Sequence, residues 1–106
     1  MPRFLPQLFV FGLALFAFEA FAEDTEIKVG HSRLDPSEVT ISAGDTVTFH
    51  NEDQMPGGHS IVADDGAFKS PALAEGDTWS HTFSEPGTHH FHVGEHPDAK
   101  GTITVN

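Results

Sequence analysis

The chain contains no cysteine. That single absence removes disulfides and thiolate metal ligands together. Positive charge is also scarce, since 5 Lys and Arg stand against 16 Asp and Glu for a formal charge of −11 at pH 7. Nucleic acid and anionic membrane surfaces both require a basic patch, so neither is an expected partner. No nucleophile stands beside a base and no glycine loop is built to hold phosphate, so an enzyme is not expected and no residue is assigned a catalytic role. Beyond the N-terminal stretch there is no internal repeat, no low-complexity segment and no amphipathic helical periodicity.

The one long apolar run lies at the start. A single positive charge at Arg3 precedes apolar residues from Leu8 to Phe18, and the small-x-small ending Ala20-Phe21-Ala22 follows. This is the pattern of a secretory signal peptide cut after Ala22. The run is shorter than the roughly 20 residues a spanning helix needs. The expectation is a signal peptide over 1–22, one domain over 23–106, a periplasmic or otherwise secreted location, and no stable membrane association after cleavage. The domain of 84 residues is near the size at which a hydrophobic core alone is marginal.

What is present is histidine, 8 residues of it. Four fall in Gly87 to Gly101, G-T-H-H-F-H-V-G-E-H-P-D-A-K-G, a density that points to metal because neutral imidazole is the commonest protein metal ligand. Protonating every histidine would bring the charge to about −3, so the surface electrostatics change strongly between about pH 7 and pH 5.

Period-two alternation recurs along the domain. Ile27 and Val29, then Val39 and Ile41, then Val47 and Phe49 alternate with polar residues. Leu34-Asp35-Pro36-Ser37 and Ala43-Gly44-Asp45 read as turns between such strands. Asn51 to Gly58 is turn chemistry that delivers His59 to a short strand, Ser60 to Val62. The polar segment from Ala63 to Asp77 is expected to wrap one edge, pinned by Phe68 and Leu73. Trp79, His81 and Phe83 share an inward face, as do His89, Phe91 and Val93, while His90 and His92 point outward. Thr102 to Val105 forms the last strand. Short strands every 8 to 12 residues with Gly and Pro punctuation predict an all-β sandwich of about seven strands.

The order of these pieces resembles the cupredoxins, the small blue-copper proteins typified by plastocyanin and amicyanin. The resemblance rests on L-D-P-S-E-V-T-I at 34–41, G-D-T-V-T-F at 44–49, N-E-D-Q-M-P followed by H-S-I-V at 51–62, G-D-T-W at 76–79, F-S-E-P-G-T at 83–88 and G-E-H-P-D-A-K-G-T-I-T-V at 94–105. It implies a Greek-key β-sandwich of the cupredoxin type. It also implies copper held by His59 and His96, with the cysteine of the family's C-x-x-H-x-x-M loop replaced by Val93 and its methionine by Ala99. A blue-copper site depends on the copper–thiolate bond, so an ordinary blue-copper electron carrier is excluded.

His59 and His96 are therefore the leading metal ligands, with Glu95, His92 and Met55 as weaker candidates. Nitrogen and oxygen ligands favour Cu(II), with zinc as a competitor. The functional expectation is a periplasmic copper-binding protein with a thiolate-free, type 2-like histidine site, for binding, buffering or delivery, with a periplasmic copper protein as candidate partner. Against it stand an electron-transfer cupredoxin with an atypical site and a metal-free interaction domain. His90 with His92, and His50, read equally well as a solvated face. His81 and His89 read as core histidines satisfied by hydrogen bonds, with a second buried metal site as the alternative. His31 is assigned nothing.

Overall fold

The structure, a computed structural model, describes residues 24–54 and 56–106. The signal-peptide expectation for 1–22 and the candidate Met55 lie outside the described residues. Among the described residues eight strands form: β1 Asp24–Gly30, β2 Arg33–Asp35, β3 Glu38–Ile41, β4 Asp45–Asn51, β5 Ile61–Ala63, β6 Thr78–Phe83, β7 Gly87–Val93 and β8 His96–Val105. They make two four-stranded sheets, ordered β2-β1-β4-β6 and β3-β8-β7-β5. β1 runs parallel to β4, and β3 parallel to β8, so each sheet mixes parallel and antiparallel neighbours. Among the described residues no helix is long and apolar enough to cross a membrane.

The period-two alternation explains why two layers form. β4 buries every second residue, placing Val47 and Phe49 in the core, and β1 does the same with Ile27 and Val29. The opposite sheet contributes Ile61, Phe91, Val93, Ile103 and Val105. Phe49 and Phe91 meet across the interface edge to face, with ring centres 5.4 Å apart. Phe68 and Leu73 are buried, so the segment between β5 and β6 is pinned to the sandwich where the sequence places it.

Two elements differ from the sequence reading. Residues 33–35 pair with β1 as a short strand of their own, where the sequence suggests a turn from Leu34 onward, because buried Leu34 lies opposite Val29. The last strand begins at His96 rather than Thr102, so β7 and β8 form a hairpin closed by Gly94 and Glu95. Pro97 lies early in β8, and the register shifts at His92/Val93, an irregularity that makes room for a residue without an N–H. Gly101 permits the rest of the pairing, since a Cβ there would run into the Phe91 ring.

β6 and β7 lie in different sheets, and His81 and His89 both reach the margin of the core half-buried. Phe83 contacts both rings, at 4.8 Å from His81 and 5.5 Å from His89. His89 donates from Nε2 to the Glu85 carbonyl at 2.9 Å, and His81 stacks on Trp79 at 5.5 Å. Burial, and then the charge of His89, push the His81 pKa below the ordinary imidazole value. The stability that neutral His81 contributes is complete above its unfolded value near 6.5 and is lost as pH falls through the lower folded value. His81→Phe is therefore expected to flatten the fall in Tm on acidification below about pH 6.5. A series of thermal melts checks this, and an unchanged slope would show that other groups carry the acid sensitivity.

Candidate metal centre

His59 is delivered by a loop that has little freedom. Its N–H donates to the Leu73 carbonyl at 3.0 Å and its carbonyl accepts from the Leu73 N–H at 2.8 Å, clamping its backbone to the wrapping segment. Gly58 makes the approach feasible. It sits at φ 74°, and a Cβ there would overlap the Leu73 carbonyl. The Asn51 side chain, fully buried at the end of β4, donates to the same carbonyl at 2.6 Å and accepts from the Asp53 N–H at 3.0 Å.

That second bond positions Asp53 beneath the His59 ring. His59 Nε2–H donates to Asp53 Oδ2 at 2.8 Å, and His31 Nδ1–H donates to the same oxygen at 3.3 Å. Hydrogen bonding from His59 is the main reason the Asp53 pKa is lowered, so the carboxylate acts as an acceptor toward both rings. With Nε2 occupied, the His59 tautomer leaves its lone pair on Nδ1. That atom is buried and has no hydrogen-bond partner among the described residues, on a side chain 0% exposed.

The β7–β8 turn closes the site from the other sheet. The Gly94 N–H donates to the Ser60 carbonyl at 2.9 Å, and the Ser60 N–H donates to Glu95 Oε1 at 2.7 Å. Burial opposes ionisation of Glu95, but the Ser60 and Glu95 backbone N–H groups, the Ser60 hydroxyl and the nearby His59 outweigh it, and the net pKa is lowered. Glu95 Oε1 lies 4.0 Å from His59 Nδ1. The same turn places the His96 ring centre 5.2 Å from that of His59. Val93 and Ala99 flank His96 in sequence, and both are buried in the apolar core, 1% and 3% exposed.

Residues 5–105 match the family model of the cupredoxin-like domain. The chain belongs to that family. Amicyanin-alpha of Methylorubrum extorquens is 33% identical over 90 residues, covering 82% of this chain and 76% of the relative. Plastocyanin of Scenedesmus fuscus is 36% identical over 99 residues, covering 77% of this chain and 99% of that protein. A methionine-to-alanine mutant of amicyanin, in a structure with Cu(I), superposes with a TM-score of 0.70 at 30% identity, covering 86% of this chain and 90% of that one.

Whether this cupredoxin's residues suit a copper ion can be judged from their donors. First-row metals bind imidazole nitrogen at about 2.0–2.1 Å, so two rings sharing one ion have centres no more than about 6–6.5 Å apart. His59 and His96 meet that limit, and an orphaned buried nitrogen is what an absent ligand partner leaves behind. The donors thus fit a nitrogen-based copper site, while Val93 and Ala99 offer nothing to coordinate. As the side chains stand, no three His, Asp or Glu groups among the described residues converge at metal-binding geometry.

The structure gathers some of the sequence candidates and separates others. His59, His96 and Glu95 come together. His92 lies on β7 next to buried Val93 and donates from Nδ1 to Asp64 Oδ1 at 2.6 Å, a pairing outside this group. His90 is exposed with Nδ1 3.3 Å from Thr102 Oγ1, and His50 stands 3.5 Å from Glu26. His81 and His89 have the aromatic and carbonyl partners described above.

Sequence reasoning missed Asn51, Asp53 and His31. Asn51 carried a usable signal, because the alternation that buries Val47 and Phe49 also points residue 51 inward. Asn51→Ala is expected to lower stability by about 1–3 kcal/mol, since it strips a buried carbonyl and the Asp53 N–H of a partner. Urea denaturation measures it. A change near zero would mean that water replaces the amide.

Proposed function

We propose that this protein is a periplasmic copper-binding cupredoxin whose ion is held by His59 and His96 without a thiolate, serving to bind, buffer or hand on copper. The observation that carries the reading is the His59 ring: its Nε2 is held by Asp53, while the buried Nδ1 has no partner among the described residues and the His96 ring lies 5.2 Å away. Glu95 stands next to this nitrogen as an oxygen donor already engaged by Ser60.

Copper bound there would retain coordination positions that a receiving site can attack, which is what transfer of the ion requires. The chain's own residues set the rest. Asp53 fixes which His59 nitrogen faces the site, the Leu73 clamp fixes where that ring stands, and the Ser60–Glu95 bond holds the turn carrying His96. Electron transfer is the less favoured role, because Val93 and Ala99 occupy the positions that the family resemblance assigns to the two sulfur ligands. Cu(II) is the preferred ion on its nitrogen and oxygen donors, with zinc competing.

Titration with Cu(II), followed by electron paramagnetic resonance, tests the site. One tight equivalent with nitrogen couplings and type 2 parameters is expected, and it should disappear in the His59→Ala, His96→Ala double variant. Binding that is weak, multiple and indifferent to that variant would reduce the histidines to surface chemistry. Val93→Cys with Ala99→Met should in turn create an intense visible thiolate-to-copper band, and a colourless copper-loaded protein would show that the loop is misassigned.

A further inference from the structure

Two nitrogens leave a copper ion under-coordinated, and the sandwich end holds one more imidazole. His31, in the turn between β1 and β2, has its ring centre 4.9 Å from that of His96, inside the limit for sharing an ion. Its neighbour Ser32 takes a left-handed backbone, φ 57°, and sets its hydroxyl 3.4 Å from His96 Nδ1. The turn thus leans over the end of β7–β8, although no sequence motif joins the two.

Asp53 supplies the orienting element. It accepts from Nδ1–H of His31 through the same oxygen that accepts from Nε2–H of His59. A carboxylate holding one nitrogen of each ring leaves the other nitrogen of each as the lone-pair donor, His59 Nδ1 and His31 Nε2. Such outer carboxylates set ligand tautomer and raise ligand basicity at metal sites. The two rings differ in mobility, since the side chain of His59 is 0% exposed and that of His31 is 66% exposed.

We propose that His31 is the third nitrogen ligand of the copper site, swinging in from the β1–β2 turn to take a position left open by the apolar Val93 and Ala99. This rests on the His59–His96 reading and adds a ligand that the family's loop pattern does not contain. The inner ligand is rigid and preplaced, whereas the outer one must move, because no three such side chains among the described residues yet converge. Capture and release of the ion then run through His31.

The test uses Cu(II) as its simple salt and pulsed electron paramagnetic resonance to count coordinated nitrogens. The unsubstituted protein is expected to show three imidazole couplings. His31→Gly should show two, retain one equivalent and bind at least about tenfold more weakly. His31→Gln serves as a second variant that keeps a polar turn, and His90→Ala as a surface-histidine control that should change nothing. Identical couplings and affinity in the His31 variants would overturn the third ligand and leave His59 and His96 standing. Retention of the same equivalent in His59→Ala, His96→Ala would overturn the underlying site instead.

Discussion

The bond from His59 Nε2–H to Asp53 is the interaction on which the rest of this end of the sandwich depends. A fully buried imidazole must satisfy two nitrogens, and the fold satisfies one. Holding Asp53 in place requires the Asn51 amide, which in turn needs the Leu73 carbonyl close by, and that approach needs a glycine at 58. Four residues, Asn51, Asp53, Gly58 and Leu73, thus converge to orient one ring. A polar network of this kind is costly unless completed, and among the described residues His59 Nδ1 is the atom it leaves without a partner.

The opposing sheet handles the same end differently. Val93 and Ala99, the positions to which the family resemblance assigns sulfur ligands, enter the apolar core, while His96 opens β8 on the same hairpin. Small apolar side chains leave no buried polar group behind, and the hairpin retains its register through Phe91 against Gly101. Valine and alanine at these two positions therefore fit the packing of the sandwich without strain on its hairpin. The polar groups at this end come from Asp53 and His59 in the loop after β4, Glu95 in the β7–β8 turn and His96 at the start of β8.

Much of the architecture was legible in the sequence because a half-buried strand writes its two faces into alternate residues. β1, β4, β6 and β7 follow that rule closely. β2 and the first half of β8 do not, since a three-residue strand is too short to show a period and Pro97 looks like the end of pairing. The order of motifs pointed to His59 and His96, whose rings the fold brings within 5.2 Å of each other. His31 could not be found that way: its proximity to His96 comes from one sheet's edge turn reaching across to the other sheet's hairpin, which no local pattern records. Asp53 was visible only as a turn former, and its task becomes clear when the ring above it is seen.

The double hydrogen bond between His59 and Leu73 ties the inner ring to the cooperative unfolding of the domain. A backbone clamped on both sides, under a side chain with no exposure, opens when the sandwich opens rather than by local fraying. The His59 amide should therefore be among the slowest to exchange its hydrogen with solvent, while the turn carrying His31 exchanges freely. The two sides of one small site would then live on different clocks, with the deep nitrogen as long-lived as the fold itself and the outer rim renewed on the timescale of loop motion.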